Sequence, residues 1–239
     1  LQVNSQTITF TVGTATTVTG STNDTPFGTF YHDNKNQILF LASELQALGI
    51  QPGDIYSIAF NVSTAGTPAM NGFQVLVKNT TSTIVTTTWE TGLTLVFSGT
   101  HTATAGWNTF TFSTPFFWDG VSNLLIQTCF DNTSYISNSN VFYTATAFNS
   151  NGGRYCDSCI PDPCNNMASP TSSQITLKRP NTRIEITQGP PVTDFTADET
   201  FTCNGTVNFI DLTLSSTSWL WDFGDGNTAT IQNPSNVYA

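Results

Sequence analysis

Short stretches in which every second residue is apolar recur through the first three-quarters of the chain, separated by turn residues. Because side chains alternate between the two faces of a β-strand, this period of two predicts strands with one buried face. The clearest stretches are residues 54–62, 72–78, 107–112 and 123–130. One short helix is expected at 42–48, with Gly49 as its stop. About ten strands joined by turns predict an all-β fold, a jelly-roll-like two-sheet β-sandwich.

Charged residues make up only 9% of the chain, against about a quarter in typical soluble domains. The 16 acidic residues outnumber the 6 Lys and Arg, which gives a formal net charge of −10. This charge repels phosphate backbones and anionic lipids, so nucleic acid is excluded as a partner. The longest apolar run, residues 38–42, is far shorter than the roughly 18 residues of a spanning helix, so no membrane insertion is expected.

The clearest boundary in the chain is Gly189-Pro190-Pro191, which cannot continue a sheet ladder. It predicts a sandwich module at 1–188, a hinge at 189–191 and a second domain at 192–239. The second part contains Trp221, Phe223 and the turn Gly224-Asp225-Gly226, followed by Asn233-Pro234 and Tyr238.

This second motif resembles the polycystic-kidney-disease (PKD) domain, with Asn236 in place of the usual histidine. The resemblance implies an immunoglobulin-like β-sandwich in which the motif residues are structural. It also implies further strands after Tyr238, so residues 192–239 are expected to form an incomplete PKD domain with an open apolar face. Either a continuation of the native chain fills that face, or a strand from a neighbouring molecule does. Residues 7–12 are the expected donor, and head-to-tail donation generates a filament.

The first part also resembles a known module, on motifs spread along its length. They lie at residues 26–31, 37–45, 53–60, 96–100, 106–110, 114–124 and 179–181. They resemble the N-terminal β-sandwich module of secreted and cell-surface proteins of the Bacteroidota. The resemblance implies a non-enzymatic module exported by the type IX route.

Four of the five cysteines lie in this first part: Cys129, Cys156, Cys159 and Cys164. The last three fall in a loop rich in Gly, Asn and Pro, and they could ligate zinc with Cys129 as a fourth ligand. Disulfides are preferred, because a composition this poor in charge suggests an extracellular protein, where thiols oxidise. The expected pairs are Cys129 with Cys156 and Cys159 with Cys164, which leaves Cys203 over.

No catalytic residues are predicted. Neither His32 nor His101 lies in a nucleophile or metal motif, and there is no Gly-x-Ser-x-Gly or His-Glu-x-x-His sequence. The carboxylates that could form a pair look like ordinary turn or cap residues: Asp33, Glu44, Glu90, Asp119 and Asp131.

Ligand binding is the more serious expectation. Trp89 is the best candidate for a sugar-stacking platform because its neighbours are all polar, whereas Trp118 is expected in the core. No cofactor is expected unless a structural calcium ion is bound, for which Asp119 and Asp131 are the candidates, with Asn123 and Asn132 beside them.

The expected protein is therefore an extracellular or cell-surface module that acts in adhesion or in surface assembly, including filaments. Its expected partners are copies of itself or surface glycans. The alternative is a carbohydrate-binding accessory module of a larger secreted hydrolase.

Overall fold

The structure is a computed structural model, which describes residues 6–19, 25–66, 69–135, 137–157, 162–188, 194–198, 205–213 and 218–238. The chain forms two compact units, Gln6–Gln188 and Gly189–Ala239. Within the described ranges, no helix is both long and apolar enough to cross a bilayer.

The first unit is built from strands with little helix. Its strands are β1 (Gln6–Val12), β2 (Thr17–Val18), β3 (Asp33–Phe40), β4 (Gly53–Thr64), β5 (Met70–Thr80), β6 (Thr94–His101), β7 (Gly106–Trp118), β8 (Asn123–Asp131), β9 (Asn140–Ala145), β10 (Asn151–Cys156), β11 (Ile175–Thr176), β12 (Lys178–Pro180) and β13 (Thr182–Gln188). Its helices are α1 (Ala42–Ala47), α2 (Pro163–Asn166) and a 3-10 turn at Ser172–Gln174.

Two sheets form the sandwich. The first has the order β1-β13-β4-β9-β12, with β7 also paired to β4 and β2 to β9; the second has the order β11-β10-β3-β8-β5-β6. Apolar side chains from both sheets meet in one core that contains Ile58 and Phe60 of β4, Phe110 of β7, and Ile38 and Phe40 of β3. The predicted all-β two-sheet sandwich is confirmed.

Strand β3 departs from simple alternation because all eight of its residues are buried. Its first half is polar and runs Asp33-Asn34-Lys35-Asn36-Gln37. One face of β3 points into the sandwich core, whereas the other face is covered by two connections, residues 81–93 and residues 162–174. The strand is therefore buried on both faces, and Lys35 and Gln37 are hydrogen-bonded to the chain that covers them.

The helix α1 is held to the sandwich by an ion pair. Arg179, 4% exposed, donates to both carboxylate oxygens of Glu44 at 2.7 and 3.1 Å. Glu44 also accepts the backbone N–H of Leu41 at 3.1 Å, which closes the first turn of the helix. The predicted helix at 42–48 is thereby confirmed to within one residue.

The second unit has five short strands among its described residues: β14 (Phe195–Ala197), β15 (Thr206–Asp211), β16 (Trp221–Asp222), β17 (Thr228–Ala229) and β18 (Ser235–Val237). They form a three-stranded sheet, β14-β15-β18, and a two-stranded sheet, β16-β17. Several apolar side chains of this unit are exposed, including Leu220 at 79%, Ile231 at 62% and Phe195 at 56%.

Candidate functional site

Five aromatic rings form a continuous cluster at the surface of the first unit. The members of this aromatic patch are Phe30, Tyr31, His32, Tyr135 and Tyr155. Ring centroids lie 5.9 Å apart for Phe30 and Tyr135, and 4.5 Å apart for Tyr31 and Tyr155. Phe30 is 49% exposed and Tyr135 is 55% exposed. Surface aromatics usually occur singly, so this grouping makes the patch a candidate interaction surface.

The segment that carries Phe30 and Tyr31 is fixed to the core of the first unit and to β3. Phe27, three residues earlier, is fully buried among Phe60, Phe73 and Phe110. Asn36 of β3 donates through Nδ2 to the carbonyl of Thr25 at 2.8 Å. The backbone of this segment is therefore fixed, while its two aromatic side chains point outward.

The loop that carries Tyr135 is bonded to the same segment. The N–H of Phe30 donates to Oδ1 of Asn138 at 2.8 Å, and the hydroxyl of Thr29 donates to the carbonyl of Ser137. At the other end of the patch, the N–H of Asn132 donates to the carbonyl of His32 at 2.9 Å. These hydrogen bonds hold Tyr135 next to the rings of Phe30 and His32.

The third contribution comes from the end of β10, which supplies Tyr155 and then Asp157. Oδ1 of Asp157 accepts the backbone N–H of His32 at 3.3 Å. Both Asp157 and Asp131 are exposed at the edge of the patch. The site thus combines apolar ring faces with phenol, imidazole and carboxylate groups at their edges, a combination suited to ligands that are partly apolar and partly polar.

Sequence reasoning missed this patch because no single position in it stands out. The available signal was the run Phe30-Tyr31-His32 inside a segment rich in Gly and Thr. Tyr135 and Tyr155 lie far from that run in sequence; the loop after β8 brings Tyr135 to it, and the pairing of β10 with β3 brings Tyr155.

Trp89, the predicted sugar platform, is half-buried in the first of the two connections that cover β3. Its indole N–H donates to the carbonyls of Met167 and Ala168 at 3.1 and 3.0 Å, and Nζ of Lys35 lies 5.1 Å from its ring centroid. These contacts join the two covering connections. A ligand role for Trp89 stays a prediction, while Trp118 lies in the core as expected.

Lys35 is the most unusual ionisable group of the described chain, because its side chain is buried on the outer face of β3. Nζ donates to the carbonyl of Cys164 at 2.9 Å, and the residue is only 5% exposed. Burial lowers the pKa of Lys35 to about 8, although the charge of Asp162 opposes that change.

The cysteines form disulfides, but the expected pairing is wrong. Cys129 on β8 is bonded to Cys164 in α2, with 5.3 Å between their Cα atoms. This excludes both predicted pairs, Cys129 with Cys156 and Cys159 with Cys164. Cys156 is also disulfide-bonded, and Cys159 and Cys203 lie outside the described residues. The pairing follows from the fold, since α2 lies against the outer face of β8, which spacing along the sequence cannot reveal.

The carboxylates proposed for calcium do not converge. Asp119 and Asn123 lie near the start of β8, whereas Asp131 and Asn132 lie at its far end, about 26 Å away for eight residue steps. Asp119 accepts two backbone N–H groups, of Val121 and Ser122, at 2.9 and 2.7 Å. It therefore forms a turn. No group of three metal-ligating side chains occurs within the described ranges.

Asp33, buried on β3, stands opposite Asp131 on β8, while His101, Glu90 and Glu44 each contact separate structural partners. His101 packs on Phe110 with 4.7 Å between ring centroids, and burial lowers its pKa despite the hydrogen bond between its Nε2 and the acceptor Oδ1 of Asn108. Glu90 pairs with Lys78 at 3.0 Å. Burial acts to raise the pKa of Glu90, but hydrogen bonds from Ser82, Thr80 and Lys78 and the Lys78 charge lower it overall. The carboxylate of Glu44 forms an ion pair with Arg179, as described above.

The second unit has a cleft of about 520 Å³ between its small sheets, lined by aromatic residues that include Phe195, Phe209, Trp221 and Phe223. The Tyr238 hydroxyl donates to the carbonyl of Phe223 at 3.2 Å. None of these four rings is fully buried: Phe209, Trp221 and Phe223 are half-buried, and Phe195 is exposed.

The turn that follows Phe223 has the geometry that its sequence predicts. Gly224 and Gly226 have φ values of 79° and 93°, the left-handed region that glycine adopts most easily. Asp225 between them accepts the side-chain amide of Asn236 at 2.7 Å and the N–H of Asn227 at 2.9 Å. These hydrogen bonds lower the pKa of Asp225. Asn236 thus fixes the turn from the position where the family usually has histidine.

No curated protein matches this chain. The first unit's resemblance to the Bacteroidota module stays a prediction. The comparison with protein families matches residues 188–239 to the PKD domain, a non-catalytic module typical of extracellular proteins. The match supports the resemblance predicted from the Trp221, Phe223 and Tyr238 motif, and the matched part of the chain corresponds to its second unit.

Proposed function

We propose that this chain is a non-enzymatic extracellular module that acts in adhesion, with the aromatic patch as its contact surface. The observation that carries the proposal is a cluster of five aromatic rings, of which Phe30 and Tyr135 are exposed, on a backbone fixed by hydrogen bonds. The PKD match supports an extracellular setting. Export by the type IX route is part of the same proposal and rests on the sequence resemblance alone.

The energetics favour a functional reading of the patch. Leaving an aromatic side chain half exposed forgoes roughly 1–2 kcal/mol of the burial free energy that a Phe or Tyr can supply. Phe30 and Tyr135 both do this next to a core that buries Phe27 completely. Recognition gains from such an arrangement, because rings already held in place lose little conformational freedom when a partner binds.

Copies of the chain are the second class of partner proposed, through surface or filament assembly. The expected donor strand, residues 7–12, lies in β1 and is paired along its length with β13. Donation to a neighbour therefore requires that β1 leave β13 first.

The experiment measures attachment and self-association together. Fluorescently labelled protein is incubated with cell-envelope and biofilm-matrix preparations, and bound protein is counted after washing. The double variant Phe30→Ser/Tyr135→Ser should lose attachment, while Phe117→Ser, at a site 57% exposed on β7, should keep it. Attachment equal in the parent and the double variant refutes the patch as the contact surface. Sedimentation of the same samples shows whether copies associate.

The second candidate is a carbohydrate-binding accessory module of a larger secreted hydrolase, which the aromatic patch also supports. The two candidates differ in what attachment achieves. An accessory module increases the turnover of an insoluble polysaccharide by a hydrolase fused to it, and an adhesive module retains cells or matrix without changing turnover.

A further inference from the structure

We infer that the ligand of the aromatic patch is an uncharged saccharide, an inference that rests on the proposed adhesive function of this patch. The chemical character of the rings is the first argument. Three of the five are tyrosines and one is histidine, so four of the five rings carry a group that forms hydrogen bonds. A sugar ring has the matching character, with C–H groups on its faces and hydroxyls around its rim.

The polar groups around the rings supply the second argument. Asp157 is fixed beside the patch because Oδ1 accepts the N–H of His32 at 3.3 Å, and Asp131 is exposed next to the residue that bonds the His32 carbonyl. Carboxylates accept hydrogen bonds from sugar hydroxyls. They repel the carboxylate, sulfate or phosphate groups of acidic polysaccharides.

The overall charge extends that discrimination beyond the patch. With 16 acidic and 6 basic residues, the chain carries a formal charge of −10. An acidic polysaccharide approaching the patch is repelled by the whole molecule as well as by the two local carboxylates. An uncharged saccharide meets no such barrier.

The arrangement of the rings supplies the third argument. Phe30 and Tyr135 are the two most exposed members, with centroids 5.9 Å apart, and His32 lies 5.7 Å from Tyr135. The rings come from the loop before β3, the loop after β8 and the end of β10, and hydrogen bonds join these three segments. An extended chain of sugar units can therefore contact more than one ring at once, and the contributions of neighbouring contacts combine.

The test is affinity electrophoresis of the full chain in gels that contain one polysaccharide each. The neutral set is a β-glucan, a xyloglucan, a galactomannan and an arabinoxylan, and the acidic set is alginate and pectate. We expect at least one neutral polysaccharide to retard the parent protein. Tyr135→Ala should weaken binding about tenfold, because a lost aromatic contact of about 1.4 kcal/mol corresponds to that factor. Tyr135→Phe should keep most of the binding, and Phe117→Ala should keep all of it.

The outcomes separate this inference from the proposed function. If no neutral polysaccharide retards the protein while envelope attachment still depends on Phe30 and Tyr135, the saccharide inference is wrong and adhesion stands. If attachment is also independent of these residues, both fail. Retardation by alginate or pectate alone overturns the uncharged ligand. Envelope attachment that disappears in 0.5 M salt indicates a cationic partner and overturns the saccharide inference, because salt does not screen contacts to an uncharged sugar.

Discussion

The Cys129–Cys164 disulfide gives the most direct test of how the first unit is stabilised. The bond joins residues 35 positions apart, on β8 and α2. In the chain-entropy treatment, a crosslink that closes a loop of this length stabilises the folded state by about 4 kcal/mol. A pairing of Cys159 with Cys164 would close a loop of about five residues and contribute only about 2 kcal/mol by the same formula.

The perturbation is the double substitution Cys129→Ala/Cys164→Ala, which leaves no buried thiol or hydroxyl without a partner. Urea denaturation of the full chain, followed by circular dichroism, should show the larger transition, that of the Gln6–Gln188 unit, shifted by about 1.5–2 M for a slope near 2–2.5 kcal/mol per M. The single variant Cys164→Ala also removes the bond and should give most of the same loss. A shift below about 0.5 M in the double variant would refute the reasoning. Peptide mapping that joins Cys129 to Cys156 would refute the pairing itself.

Three further predictions concern single side chains of the first unit. Burial lowers the pKa of Lys35 to about 8, so the unfolded chain binds the proton more tightly than the folded chain does. The free energy of unfolding should therefore rise by roughly 2–3 kcal/mol from pH 8 to pH 10, and this rise should be smaller in Lys35→Met. Equal slopes of the two proteins in pH-dependent urea titrations contradict this. Glu44→Gln should cost about 3 kcal/mol because it leaves the charge of Arg179 buried without its partner, and a thermal midpoint within a degree of the parent's contradicts it. Phe27→Ala should lower stability by about 3–5 kcal/mol and also weaken patch binding at temperatures where the variant is folded, since this side chain anchors the segment that carries Phe30; binding equal to that of the parent contradicts the anchoring role.

Much of the sandwich could be predicted from alternation alone. The stretch at 54–62 lies inside β4, that at 72–78 inside β5 and that at 107–112 inside β7. These strands bury one face in the common core, so their sequence carries the pattern of the fold. The PKD motif was equally informative, because its glycines and aspartate occupy a turn that few other residues can form.

The outer face of β3 could not be predicted, because its burial depends on chain that arrives from elsewhere. Lys35 and Gln37 look like exposed strand residues in the sequence, yet residues 81–93 and 162–174 cover them. The same long-range packing selects Cys164 as the partner of Cys129. The aromatic patch was missed for a related reason, since two loops and the end of β10 supply its rings.

The pairing of β1 with β13 has a mechanical consequence. The two strands are antiparallel, and Gln6 stands opposite Gln188, so the chain enters and leaves the first unit at the same point on its edge. Tension applied at these two residues acts along the inter-strand hydrogen bonds and breaks them one pair at a time, starting at Gln6. The unit is therefore built to unzip at low force when pulled by both ends. If Gln188 is pulled while the unit is held at a site other than Gln6, the force passes through the folded unit and β1 stays paired with β13.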